Sequence, residues 1–328
     1  MLPTLSRREL LGGLIGTGLA LTISRDGAAD ERAARKFTVD LVCGNIGVRV
    51  RLPEAIALSH RFGFESVAPD AGYLKSLSEN QVSELRADLT TKKLVWGATG
   101  LAVDFRGTEP SFQDGLRGLP DDAKALERAG VSRMGTWISP GHKSLTYLSN
   151  FKQHTSRLRE IAKALRDHGI RLGLEYVGPK TSWSATRYPF IHTMAEMREL
   201  IAAIDQPNVG LVLDSWHWYT AHETAADLLS LKGAEVVACD LNDAPAGIPI
   251  DEQKDNTRDL PCATGFINLK AFLGALVKIG YDGPVRAEPF KADLRRLSAE
   301  EAVDRTAKAM KRAIELLHSS EPQPRAAD

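Results

Sequence analysis

A chain of 328 residues is long for one average domain and ordinary for one α/β barrel, and 43% hydrophobic content supplies a sizeable core. Lysine plus arginine equals aspartate plus glutamate, 42 each, so the formal net charge is zero. That balance argues against a strong overall electrostatic grip on nucleic acid or on an anionic membrane.

The amino terminus is a separate object. Ser6-Arg7-Arg8-Glu9-Leu10-Leu11 leads into an apolar, glycine-rich run from Leu10 to Ile23. The run is too short and too rich in glycine for a comfortable transmembrane helix. Small residues at Gly27-Ala28-Ala29 complete a signal-peptide pattern, and the paired arginines followed by Leu-Leu resemble a twin-arginine export signal. Residues 1–29 are therefore expected to direct export to the periplasm or the cell exterior, with no stable membrane anchor after cleavage. A Sec signal or an uncleaved anchor is the alternative. Cys43, Cys239 and Cys262 are too scattered for a disulfide framework.

From residue 36 short apolar runs alternate with amphipathic segments. Strands are expected at 37–43, 65–67, 94–98, 132–136, 170–177, 208–214, 235–241 and 284–289. Helices are expected at 53–61, 78–90, 112–129, 146–168, 193–204, 221–231, 268–279 and 298–318. Ser78, Thr193 and Ser298 read as N-caps, the latter two with Glu196 and Glu301 three residues on. Gly169 and Gly280 read as helix stops. The alternation predicts an α/β fold, a single-domain (β/α)8 TIM barrel over 36–318, followed by a disordered tail at 319–328. A doubly wound open sheet is the alternative, but no G-x-G-x-x-G follows the first strand and no Walker A loop occurs.

In a barrel the chemistry sits at the last residues of the strands and in the turns after them. Strand five ends in Glu175, strand six in Asp214, strand seven in Asp240-Leu241-Asn242-Asp243, and strand eight in Glu288. Each follows apolar or small residues, and period-two alternation puts Gly173 with Glu175, Val212 with Asp214 and Ala238 with Asp240. Four acids in one mouth need a countercharge, and a divalent cation is the simplest one. All-oxygen ligation suits Mg²⁺ or Mn²⁺ better than Zn²⁺. Taken singly, Asp214 reads equally as the cap of the next helix, and His217 as packing against Trp216 or Trp218.

The set LGLEYVGPK, VGLVLDSWHWY, DLNDAP, RDLPCATGFINL and GYDGPVRAEPF resembles the xylose-isomerase-like TIM barrels, sugar isomerases and epimerases that include ketose 3-epimerases and inosose dehydratases. The resemblance spans about residues 37–318. It implies metal-ligand positions at Glu175, Asp214 and Glu288, and a histidine, His217, that holds a substrate hydroxyl or carbonyl oxygen. It also implies an arginine, Arg258, that binds sugar hydroxyls. Where such proteins commonly carry a strand-seven histidine, this chain has Asp240, which is able to ligate a hard cation; Asp243 is a cap by the other reading. The implied reaction is proton transfer at a carbon beside a carbonyl, through an enediolate-like intermediate, with Glu175 and Glu288 as acid and base on opposite faces.

A dehydratase or keto-glycoside lyase is mechanistically adjacent, and a non-catalytic carbohydrate-binding barrel is the reading that Asp240 favours. A nuclease on the same barrel is disfavoured by Asp240 and by the zero net charge. The partner expected is a small sugar or keto-sugar, with no nucleic acid; a homo-oligomer is compatible with it. Lys180, Trp183 and His142 are further substrate-contact candidates, as are His192, Trp216 and Trp218; Asp40 and Asn45 are weaker ones. His60, His154, His168 and His318 are expected on helix surfaces.

Overall fold

The break in the third strand is what closes the sheet. The computed structural model describes residues 35–319 and Gln323. The expected export segment 1–29 lies outside the described residues, as does the tail apart from Ser319 and Gln323. In the unit from Arg35 onward, a parallel sheet runs through β1 (Thr38–Leu41), β2 (Ser66–Val67), β3, β4 (Arg133–Trp137), β5 (Arg171–Glu175), β6 (Val209–Asp214), β7 (Val236–Leu241) and β8 (Pro284–Ala287). β3 consists of two pieces, Val95–Trp96 and Thr99–Gly100. The first piece pairs with β2 and the second with β4, so the two ends of the sheet meet on one strand. The expected continuous strand 94–98 is interrupted at Gly97-Ala98, where Gly97 passes so close to Asp40 that a side chain there would fall on its carboxylate.

Helices wrap the outside: α1 (Leu52–Arg61), α2 (Glu79–Thr91), α3 (Glu109–Ala129), α4 (Tyr147–Arg166), α5 (Met194–Ile204), α6 (Ala225–Leu229), α7 (Leu269–Lys278) and α8 (Ala299–Glu315). Ser78, Thr193 and Ser298 cap α2, α5 and α8, each in a reciprocal capping box. α3 starts three residues earlier than expected, where Thr108 caps it and Pro110 fits its first turn. The expected helix 221–231 shrinks to α6. His222 takes a positive φ of 59°, which ends the preceding turn, and Thr224 starts afresh with Asp227. No helix among the described residues is long and apolar enough to cross a membrane.

The register aligns the mouth. Asp40 pairs with Arg286, Arg286 with Asp240, and Asp240 with Asp214, so one layer of the barrel carries three carboxylates and a guanidinium. Below it the interior is narrow: a Cβ on Gly173 would lie 2.7 Å from Val212 Cγ2 and 2.9 Å from Val237 Cβ. Small residues pack the floor and leave the polar layer at the top.

Candidate active site

β6 is apolar until its last residue, and all but its first residue are buried. Asp214 ends it and also caps the one-turn helix Ser215–Thr220, so the cap and the site are the same group. Its Oδ1 accepts from Trp216 N and from Asn242 Nδ2, both at 2.8 Å. Its Oδ2 is left for Arg258 Nη1, at 2.6 Å. His217 follows on that helix, fully buried. Gly178 N donates to its Nδ1 at 3.2 Å, while its Nε2 lies 3.2 Å from Arg258 Nη2. A neutral imidazole that accepts at Nδ1 carries its proton at Nε2. A proton there would oppose the Arg258 Nη2–H that points at Nε2, so a neutral imidazole accepts only one of the two donors that face it.

Arg258 is delivered by a long loop, and Asp243 ties that loop down. Asp243 and Asp259 exchange backbone hydrogen bonds at 2.9 and 2.8 Å. The Asp243 carboxylate accepts from the backbone N–H of Ala244, Thr264, Gly265 and Ile267 at 2.7–3.1 Å. It is the cap of the loop, the second of its two sequence readings. Asp243→Ala is expected to leave these buried donors unpaired and to cost roughly 3 kcal/mol or more. Urea unfolding at neutral pH measures it, with faster proteolysis inside 244–266 as the local sign.

Arg258 then spans the mouth. Besides Asp214 it reaches Glu288 Oε2 through Nη1 at 2.9 Å and Asp255 Oδ1 through Nη2 at 2.7 Å. The Phe290 ring lies 4.6 Å from its guanidinium carbon. Asp240 is held at both oxygens by Arg286, at 2.7 and 3.0 Å. Arg286 escaped the sequence reading, although the signal was there: it stands two residues before Glu288 and faces inward with it by strand alternation. Phe290, Asn242 and Asp255 left no comparable pattern.

Glu175 is the common member of the site. Its ligand oxygen, an Asp214 oxygen and a His217 ring nitrogen lie within 4.8 Å of one another, and so do oxygens of Glu175, Asp240 and Glu288. Glu175 Oε1 is buried without a hydrogen-bond partner. Fully ionised, the four carboxylates outnumber the two guanidiniums by two charges, which one divalent ion would match. The donors fit such an ion at either group, Glu175 with Asp214 and His217 or Glu175 with Asp240 and Glu288.

The electrostatics say the same. Burial, then Glu288, Asp240 and Asp214, push Glu175 well above the usual carboxylate range. Burial raises Asp214 to about 7 against the pull of Arg258. Burial and Asp240 raise Glu288 to about 8, again against Arg258. Burial and Arg258 push His217 down to about 3, so it is neutral at physiological pH. Arg258 itself is held firmly charged by Asp214, Asp255 and Glu288 once burial is overcome.

The remaining expected contacts scatter. Lys180 pairs with Asp251 at 2.8 Å on the surface. Trp183 stacks on His192 at 4.7 Å. His142 Nδ1 accepts from Leu145 N at 2.7 Å and from Ser144 N at 3.0 Å, which makes it a loop anchor. Trp216 is buried behind Arg258, and Trp218 packs on Phe272, 5.6 Å away. Asp40 is buried in the carboxylate layer with both oxygens unpartnered, and burial raises it to about 6.

His154 is a correction. It is buried, not on the surface, because α4 turns it between Phe105 and Phe190, 5.5 and 5.1 Å away. Burial lowers it from 6.5 to about 4. Above pH 6.5 it is neutral folded and unfolded. As pH falls from 6.5 to 4 only the unfolded chain gains the proton, so up to about 3 kcal/mol of stability is lost. Unfolding free energies at pH 7.5 and 4.5 should differ less in His154→Phe than in wild type.

Comparison with known proteins places this geometry. Residues 56–318 match the xylose isomerase-like TIM barrel family. The inosose isomerase of Halalkalibacterium halodurans is 30% identical over 152 residues, 46% of this chain and 50% of that protein. The chain thus spans about half the length of that curated relative. A xylose isomerase domain protein from Alicyclobacillus acidocaldarius superposes with a TM-score of 0.73 and 30% identity, over 84% of this chain and 97% of its own. The structure of the IolI protein with a bound zinc atom shares the fold, with a TM-score of 0.70, 21% identity, and 85% and 98% coverage. The chain that carries this carboxylate-lined mouth belongs to the xylose isomerase-like TIM barrel family.

Proposed function

We propose that the protein is a metal-dependent sugar isomerase or epimerase that moves a proton at a carbon beside a carbonyl. The observation that carries this is the clustering of Glu175 with Asp214 and His217 and with Asp240 and Glu288, around a buried Glu175 Oε1 that has no hydrogen-bond partner. A carbonyl oxygen held beside the Arg258 guanidinium gains negative charge as the neighbouring C–H ionises, and the guanidinium stabilises that charge. Glu175 takes the proton through its unpartnered Oε1, and Glu288 returns one from the other side. Raised carboxylates suit that exchange near neutral pH. His217 stays neutral beside them and does not compete for the proton.

Glu175, Asp214, Asp240 and Glu288 are proposed to hold a divalent ion, Mn²⁺ or Mg²⁺ by their oxygen donors. When bound it supplies Lewis-acid polarisation of the carbonyl. The zinc atom of the IolI structure supports a bound metal in a protein of this fold without choosing the ion. The isomerase name of the Halalkalibacterium relative supports the reaction class. With a leaving group on the next carbon the same ionisation gives elimination, so a dehydratase or lyase is the second reading. Export by the twin-arginine route completes the proposal and rests on Arg7-Arg8 and the run that follows. Exchange of the carbon-bound proton of a ketose or inosose in deuterated water tests the reaction. Incorporation supports it, and full retention of protium in every ketose, inosose and polyhydroxylated keto acid offered to the metal-loaded protein overturns it.

A further inference from the structure

The loops after β3 and β4 hold a guanidinium that the chemistry above does not use. Arg106 lies between two rings, its guanidinium carbon 4.5 Å from the centre of Phe105 and 4.3 Å from that of Trp137. Its Nη1 donates to Trp137 O at 2.8 Å and to Thr136 Oγ1 at 3.3 Å. Nε and Nη2 make no hydrogen bond to the described residues, and Arg106 forms no ion pair among them. The nearest acid in sequence, Asp104, acts on it only through space, its carboxylate bonded to Gly107 N and Ser111 Oγ at 3.0 and 3.3 Å. The Arg106 guanidinium is thus fixed in place and partly desolvated, with two N–H groups left open, which is a condition that favours an anion.

Its position makes the anion part of the substrate. Trp137 is the last residue of β4 and the ladder partner of Glu175 on β5. Adjacent strands run about 4.8 Å apart, so Arg106 sits at the rim one strand from the proposed base. Trp137 is 46% exposed there, although it is large and apolar. A flat indole face with a guanidinium laid on it offers apolar cover for a ring and a planar pair of N–H donors at its edge. That edge matches a carboxylate in shape. A phosphate dianion is the poorer match, since one guanidinium offsets only half its charge and the mouth beyond is acidic.

We propose that Arg106 and Trp137 form a carboxylate-binding subsite, so that the substrate is a polyhydroxylated keto acid rather than a neutral sugar. This rests on the proton-transfer reading of the mouth. The test uses titration calorimetry on the metal-loaded protein with quinate, a ring polyol carrying a carboxylate, against myo-inositol, a neutral ring polyol, and inorganic phosphate. Wild type is expected to bind quinate about 10- to 100-fold more tightly than myo-inositol. Arg106→Leu should lose that margin while its affinity for myo-inositol and its melting temperature stay put. Arg106→Lys, which keeps the charge without the fork, should retain part of it. Equal affinities in wild type, equal loss of both ligands in Arg106→Leu, or phosphate outcompeting quinate overturns the carboxylate subsite and leaves the polyol-binding mouth standing. Binding of neither polyol overturns both.

Discussion

Glu175→Gln is expected to lower kcat by about 10²- to 10⁴-fold, the usual contribution of a positioned acid or base. The substitution keeps the side-chain volume and adds no strain. It removes the carboxylate whose Oε1 has no partner and which both ligand groups share. Glu288→Gln should give a loss of the same order with a different signature. In an epimerase the two acids serve opposite faces of one carbon, so each variant, saturated with divalent ion, should still wash its intact side's proton into solvent while failing to invert the centre. Proton exchange followed beside product formation separates the two steps. Equal retention of both in either variant contradicts the assignment. A fall in exchange with unchanged inversion also contradicts it.

Arg258→Leu should be the most damaging substitution for the folded state. Arg258 is buried and touches Asp214, Asp255 and Glu288 at 2.6–2.9 Å. Removing one partner of a buried ion pair costs about 3–5 kcal/mol, because the partners left behind stay desolvated. Here three carboxylates lose one countercharge. Asp214 and Glu288 already stand at about 7 and about 8 with Arg258 present. Without it, raising the pH from 6 to 9 should destabilise the variant more steeply than wild type. The sign follows from linkage: a carboxyl that ionises later folded than unfolded loses stability as pH rises between its two pKa values, and raising its folded value further widens that window. Denaturant unfolding at several pH values reads this directly, and added divalent ion should recover part of the loss.

Strand and helix positions were legible wherever the hydrophobic period was long or a cap was local, as at Ser78, Thr193 and Ser298. The carboxylates at the ends of β5 to β8 were legible for the same reason: an acid after an apolar run has few places to go in a barrel. What stayed hidden was pairing across the barrel. The sequence reading assigned the whole countercharge to a metal, whereas Arg258 and Arg286 supply part of it. Arg258 lies 44 residues from Asp214 and arrives on a loop whose path depends on Asp243 gathering four backbone donors. No local period encodes that. His154 was hidden in the opposite way. Helix spacing alone does not tell which face α4 turns inward until Phe105 and Phe190 are in place.

The central claim is that the carboxylate mouth is a divalent-ion centre, and metal content of the purified chain tests it most directly. About one divalent ion per chain is expected in wild type, with sharply reduced binding in Glu175→Gln and in Asp214→Asn. An ion-free chain whose melting temperature does not move with Mn²⁺, Mg²⁺, Co²⁺ or Zn²⁺ would contradict the account and leave Arg258 and Arg286 as the site's permanent cations.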